Sequence, residues 1–494
     1  MKVPLALLVA LVAGIMIGDA RGGASASVLL AGALVGLSLA FVGRGRRRAV
    51  VCAVIAMLAL GAALEQRALH GLASSPLTAA VDRYASGAAV FTLAEDPDGP
   101  QYQSSAIARF ETFDGRDAGG RSVLVIASGD NLSALSTLDA GDRVRATGTL
   151  APLSGYATRN RWRHAIAQFR VADVTAAAGP NDPWFQLANV ARRAVLRGTT
   201  ALPATPRALL SGFLLGDTRS IPDSLVQDFR DAGLSHLLAV SGANVAFALA
   251  VVDPALRRLR RGSRLAAGVG VLVLFGTMTR WEPSVLRAAV MAGLVMLARA
   301  VGRPADAKRV LVLAMTGLLI ADPFLLRSIG FLLSCGACAG IVTGSTEIAA
   351  RLRGPQWFRE ALGVTTAAQI GVAPVLLATF GSLPLVAVPA NLIAAPFVGP
   401  LTVWGLVAGL VGGVLGPRVA FWLQLPSLSM LRTIEWVAHA SAKVPVAVDG
   451  PAAAALGVIA LLIIVGTKGW RRYAGRVQGR GRHLSREGQR SAAP

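Results

Sequence analysis

Apolar stretches of roughly 17 to 25 residues, long enough to cross a bilayer, recur along this chain. In lipid such a stretch must be helical, because every backbone polar group needs an internal partner. Composition agrees: 54% of the 494 residues are apolar and 15% are charged, against about 25% charged in a soluble domain. Lys2, an apolar run from Val3 to Ile17 and Gly18-Asp19-Ala20 loosely fit a signal peptide. A second apolar run follows within ten residues, so a retained first span is expected.

Residues 3–18, 27–43 and 49–65 read as three spans. Arg44, Arg46, Arg47 and Arg48 crowd the turn before the third. Excess arginine marks cytoplasmic loops, so that turn is placed inside and residues 66–183 outside. There, apolar and polar residues alternate over Ala88–Ala94, Ala106–Phe113, Ser122–Ala127, Arg143–Leu150 and Ala167–Val174. Turn residues such as Asp96-Pro97-Asp98-Gly99 separate them. Five short strands at this spacing predict a small barrel or sandwich, with an OB-like barrel one candidate.

Residues 184–232 predict amphipathic helices at the outer surface. Spans resume over 234–252, 265–280, 284–300, 309–321, 329–345, 361–380, 384–397, 398–416, 419–438 and 452–467. Pro389 and Pro396 mark 384–397 as a broken or re-entrant segment. Basic clusters follow alternate spans: Arg257 to Arg264, Arg299 to Arg309 and Arg351 to Arg359. Residues 468–494 form a tail with eight basic residues and one acid, suited to anionic lipid. All four clusters fall inside if 384–397 does not cross. The fold class is thus a polytopic α-helical membrane protein with an extracytoplasmic β-rich OB-like domain inserted after three N-terminal spans. Residues 1–65 hold the first spans, 66–183 the β domain, 184–232 the interfacial helices and 233–467 the main membrane domain. Both termini are expected in the cytoplasm.

Net charge is +22, and only Lys2, Lys308, Lys443 and Lys468 are lysines. Arginine holds phosphate well through its planar fork. Cytoplasmic-loop bias also places many arginines, so the charge permits a nucleic-acid partner without proving one. Cys52, Cys335 and Cys338 are too few for a disulfide scaffold, and Cys335-Gly-Ala-Cys338 reads as small residues at a helix contact.

Polar residues inside spans are costly and by default suggest a site. Ser235, His236, Ser241 and Asn244 lie in Gly233-Leu-Ser-His-Leu-Leu-Ala-Val-Ser-Gly-Ala-Asn-Val245, the densest group. His236, Ser241 and Asn244 share one side of a helix at about 100° per residue. Ser241 and Asn244 equally suit polar glue between helices. Arg287 lies one or two turns into a span and must face water, a phosphate, or an acid such as Asp217 or Asp231. Gln369, Asn391 and Glu435 are weaker signals of the same kind.

Gly212-Phe-Leu-Leu-Gly-Asp217, then Phe229-Arg230, then the Gly233 to Gly242 run resemble the signature of the ComEC family of competence proteins. So do Pro283, Arg287-Ala288, Met291, Gly330-Phe-Leu-Leu-Ser334, Gln369 with Pro374, Phe380-Gly381, and Asn391-Leu392 with Pro396. The resemblance implies a channel passing single-stranded DNA across the bacterial cytoplasmic membrane. Its path would include Asp217, Arg230, Ser235, His236, Ser241, Asn244, Arg287, Ser334, Gln369 and Asn391. Many members carry His at the position of Asn244. Many also continue into a metallo-β-lactamase-like domain. The histidines at 70, 164, 236, 439 and 483 form no clustered metal motif, so no nuclease, metal or cofactor is expected in this polypeptide.

In the β domain, Arg109, Arg145, Arg161, Trp162 and Arg163 are candidates to hold phosphate and stack bases. An ordinary barrel core with a solvated basic face fits them as well. No GxxxxGK[ST] loop occurs, so the expected partners are an external DNA receptor and a cytosolic ATPase or DNA-binding protein, with oligomerisation left open. A transporter of a small anionic or lipid-linked solute is the alternative.

Overall fold

The computed structural model describes residues 2–20, 26–42, 46–99, 102–444 and 447–449. Helices α1 (Lys2–Ala20) and α2 (Ala26–Val42) both pack along α3 (Arg46–Ala73). Glycine makes the α1–α3 contact close. A Cβ at Gly14 would lie 2.0 Å from the Leu58 carbonyl oxygen. The 28 residues of α3 span about 42 Å, more than the roughly 30 Å hydrocarbon core. The helix therefore runs past the expected end of its span at 65 and carries Arg67 and Leu72 up to the β domain.

After α4 (Thr78–Asp82) come β1 (Ser86–Leu93), β2 (Gln103–Phe113), β3 (Arg116–Ser128), α5 (Asn131–Ser136), β4 (Arg143–Pro152) and β5 (Ala167–Ala178). They close into a barrel in the order β1-β2-β3-β5-β4, with β3 and β5 parallel. The alternation predicts a small barrel or sandwich, and the five strands form the barrel. Inward residues alternate along each strand and bring Phe91, Phe110 and Phe169 together. Phe91 and Phe110 stack with ring centres 5.1 Å apart, and Phe169 meets Phe110 edge-on at 5.3 Å.

The remaining helices are α6 (Pro183–Thr199), α7 (Ala204–Leu215), α8 (Asp223–Asp231), α9 (Ser235–Leu238), α10 (Gly242–Leu256), α11 (Arg261–Met278), α12 (Pro283–Ala300), α13 (Ala307–Ala321), α14 (Ile329–Ala349), α15 (Gln356–Phe380), α16 (Ala387–Leu415) and α17 (Pro417–Ala442). Local sequence sets many of their ends. Asp182 accepts a hydrogen bond from the Trp184 amide, with Pro183 in the first turn. Asp306 and Ser328 cap α13 and α14 in the same way. Gly216 and Gly381, both at positive φ, close α7 and α15. Among the described residues α1, α3, α12, α14, α15 and α16 are long and apolar enough to cross a bilayer. The chain is thus a multi-pass membrane protein with an inserted β barrel.

Three expectations change. Residues 387–415 form one continuous helix, so 384–397 is neither re-entrant nor separate from 398–416. Neighbouring helices let an internal proline persist in a membrane helix, and α16 contains Pro396 and Pro400. The basic clusters through Arg359 all precede this helix, so their expected placement does not depend on it. The expected span 452–467 and the basic tail lie outside the described residues. Second, α7 is core rather than interfacial. Every residue from Ala208 to Leu215 is buried, because that stretch is apolar on all sides apart from Ser211. Third, α10 starts only at Gly242. The chain is extended at Ala239 and Ser241, so His236 belongs to a separate short helix. His236, Ser241 and Asn244 do not share one helix face.

α14 and α15 meet backbone to backbone through Gly336, Gly340, Gly363 and Gly371. A Cβ at Gly340 would lie 2.1 Å from the Ala367 carbonyl oxygen. This is the small-residue contact expected around Cys335 and Cys338. Gly340→Val is expected to destabilise the bundle by about 2 kcal/mol through overpacking, read as a lower melting temperature in detergent. An unchanged melt would show that the two helices separate freely.

Candidate functional site

The junction between barrel and bundle is a buried ion network. Asp96, in the β1–β2 turn, lies 2.9 Å from Arg192 of α6 and 2.6 Å from Arg280, which precedes α12. Arg192 also lies 3.3 Å from Asp217, and Asp217 binds Arg219 at 2.7 Å through two parallel hydrogen bonds. The Arg192 side chain is 3% exposed and that of Asp96 is 9%. Arg192 further donates to the Leu215 and Met278 carbonyls, and Asp96 accepts from the Ala140 amide. Burial opposes ionisation of Asp96, but the Arg192 and Arg280 charges and hydrogen bonds outweigh it and hold the carboxyl below its usual range. Burial likewise opposes ionisation of Asp217. Its bonds to Arg219, with the charges of Arg219 and Arg192, depress it too.

Asp217 was expected on a DNA path and as a partner for Arg287. It instead belongs to the junction network, where Arg192 and Arg219 already take both its oxygens. Asp96, Arg192 and Arg280 were missed by sequence reasoning. One signal was available: Arg192 falls at helical spacing with Ala188, Val195 and Thr199, all buried.

A second polar set threads the bundle. His236, on α9, lies beside the Asn391 side chain and the Gly233 backbone, and the Asn391 side chain itself donates to the Ala387 carbonyl at 2.8 Å. Gln369 of α15 donates to the Pro384 carbonyl at 3.4 Å, and Pro384 also sits against Gly233. Gly233 is at φ +68°, and a Cβ there would lie 2.4 Å from that of Ala387. At the helix break the Ser241 hydroxyl donates to the Asn244 side chain, which donates to the Phe213 carbonyl at 2.6 Å. Ser284 Oγ donates to the Val240 carbonyl at 2.5 Å.

Arg287 lies on the same helix as Ser284 and is 5% exposed. Its Nε donates to Ser334 Oγ at 2.9 Å, and one terminal nitrogen meets Cys338 Sγ at 2.7 Å and Met291 Sδ at 3.2 Å. Among the described residues no carboxylate lies within ion-pair distance of it, so neither Asp217 nor Asp231 is its partner. The other terminal nitrogen reaches Gly242, where a Cβ would lie 2.4 Å away. Burying a cation without a counter-charge is costly.

The structure therefore forms two groups: Gln369, His236 and Asn391 around Gly233, and Ser241, Asn244, Arg287 and Ser334 around Gly242. Ser235 stands beside them, exposed on α9. Arg230 does not join; it is exposed on α8 and reaches Gln227 at 3.4 Å. On the barrel, Arg109, Arg145 and Arg161 are exposed. Arg163 binds Glu95 at 2.5 Å and lies over the Trp162 ring at 4.8 Å. That pair is engaged in the structure itself and is not a ready platform for a base.

These features define a class: a multi-pass helical membrane protein with a docked barrel and a buried arginine that pairs with no carboxylate among the described residues. The family described as Competence protein matches residues 213–472, more than half of the chain, and the chain belongs to that family. It is similar to ComE operon protein 3 of Bacillus subtilis (strain 168), with 25% identity over 301 residues, 58% of this chain and 38% of that protein. It is also similar to uncharacterized protein YcaI of Escherichia coli (strain K12), with 25% identity over 238 residues, 45% of this chain and 31% of that protein. The chain thus spans well under half the length of each relative. No solved structure matches it.

Asp96→Asn leaves Arg192 and Arg280 buried without their shared charge, and is expected to cost about 3 to 5 kcal/mol. Hydrogen exchange along α6 should rise, and unchanged protection would show that the barrel docks by other means. In the wild type, Asp96 and Asp217 have depressed pKa values, so their contribution is complete above about pH 3.9, the unfolded value. It is lost as pH falls through their lower folded values. Exchange along α6 that rises already at neutral pH would contradict this.

Proposed function

We propose that this chain forms the path by which single-stranded DNA crosses the cytoplasmic membrane during DNA uptake. The observation that carries the reading is Arg287, a buried cation beside a glycine helix break with no carboxylate partner among the described residues. A strand carries one negative charge per phosphate, and hydrocarbon excludes charge, so its route must be hydrated and offer donors. Arg287, Ser334, Ser241, Asn244 and His236 supply such donors. Family membership supports a role in competence. The basic loops, read by the positive-inside rule, support a barrel on the outer side, where a strand would meet it first.

An inside-negative potential opposes an entering anion by about 2.3 kcal/mol per charge per 100 mV. The chain acts as a conduit and not as an enzyme, so a separate cytosolic ATPase or DNA-binding protein draws the strand in. Uphill import of DNA by the purified protein in liposomes would contradict that division of labour.

The direct test is uptake of labelled DNA in a deletion strain complemented with wild type, Arg287→Ala or Ser241→Leu. At equal membrane levels, wild type should restore uptake. Loss of a charge-assisted contact of about 1.5 to 3 kcal/mol should cut uptake by Arg287→Ala about tenfold or more. Normal uptake in the deletion strain would instead favour a transporter of a small anionic or lipid-linked solute.

A further inference from the structure

Two consecutive residues between α11 and α12 hold a backbone conformation that L side chains rarely adopt. Arg280 is at φ +56° and Trp281 at φ +54°. Positive φ is costly for a bulky residue and persists only where the surroundings impose it. Glycine adopts it freely, yet neither position is glycine. Pro283 opens α12, and Glu282 before it stays out of the helical region at ψ +138°. Proline and the residue preceding it have little backbone freedom, so a change at 280–281 passes into α12 and is not absorbed on the way.

The contacts that impose this turn come from both domains. From the bundle, the Trp281 amide donates to the Gly276 carbonyl at 2.8 Å. The Trp281 ring lies against Gly276, where a Cβ would come within 2.7 Å of it. From the barrel, one Asp96 oxygen accepts from Arg280 Nε at 3.0 Å and from a terminal nitrogen at 2.6 Å. The other terminal nitrogen donates to the Thr277 carbonyl at 3.2 Å. The guanidinium thus ties a strained residue to the end of its own helix and to the barrel at once. Glu282, at the far end of the turn, lies near Arg163, Glu95 and Asp98 of the barrel.

The first turn of α12 leads directly to the helix break. Ser284 follows Pro283 and donates to the Val240 carbonyl. Arg287 comes three residues later and reaches Gly242 and Ser334. We infer that the Arg280–Trp281 turn is a loaded spring, held by the docked barrel through Asp96. When that hold is released the turn relaxes, the start of α12 rotates, and Ser284 and Arg287 withdraw from the break between α9 and α10. The seating of the barrel therefore sets the position of the buried cation. This is a regulatory role for the barrel, separate from any contact with a strand, and it holds whatever solute passes Arg287.

The test follows backbone hydrogen exchange in the full chain in phosphatidylcholine nanodiscs, over residues 277–283 and 238–245. Arg280→Gln removes the tie to Asp96 but leaves the residue strained, so exchange over 238–245 should rise about tenfold. Arg280→Gly loses the same tie and the strain at that position together, so exchange over 238–245 should stay within about twofold of wild type. Arg193→Gln removes a different barrel–bundle contact, with Asp139 at 3.0 Å, and should leave 238–245 unchanged. Recovery of a folded protein by Arg280→Gly, where Arg280→Gln does not fold, would equally support the spring. A rise confined to 277–283 in Arg280→Gln would make Arg280 a local fastener and overturn the inference. So would an Arg280→Gly protein no better than Arg280→Gln, in exchange or in folding. Neither result touches the DNA-path reading, which the uptake of Arg287→Ala tests by itself.

Discussion

The Asp96 carboxylate lies between two guanidinium groups that come from different parts of the bundle. Arg192 stands mid-way along α6 and Arg280 between α11 and α12. Burying either arginine without a nearby anion is costly, and so is burying Asp96 without them. Docking of the barrel and packing of these helices are therefore one event. The barrel's orientation follows from it, and with it the position of the β2–β3 face over α3. Further contacts at the same junction, such as Thr218 to Asp98 at 3.2 Å and Arg193 to Asp139 at 3.0 Å, are more exposed and add alignment more than energy.

Much of this architecture is legible in the residues. Alternation over Ala106–Phe113 and Ala167–Val174 marks strands because barrel residues must face alternately in and out. Apolar length marks spans because lipid offers the backbone no partners. The break at Ala239–Ser241 is not legible in this way. Periodicity treats Leu237 to Val245 as one helix, and the departure is stabilised by Ser284, which lies far away in sequence. The burial of α7 is hidden for a similar reason: whether an apolar helix faces lipid or protein depends on its neighbours. Asp96 reads as a turn residue, and only the fold supplies its two arginines.

The surroundings of Arg287 differ in kind from that junction. At the junction each arginine meets a carboxylate, which fixes it in a structural role. At Arg287 the neighbours are a hydroxyl, a thiol and a thioether, which orient the guanidinium without neutralising it. The two arginine environments differ in the identity of the neighbours: the charge is paired at the junction, and at Arg287 no carboxylate among the described residues pairs it.

Ser284 and Arg287 stand three residues apart on α12 and so lie on neighbouring positions of one helical face. Ser284 supplies the donor for the Val240 carbonyl in the helix break, and Arg287 reaches Gly242 just beyond it. A rotation of α12 that withdrew the cation would also leave that carbonyl without its donor, at a cost of about 1 to 3 kcal/mol. The break between α9 and α10 and the charge beside it thus share a single mechanical degree of freedom, like a latch and its bolt cut from one bar.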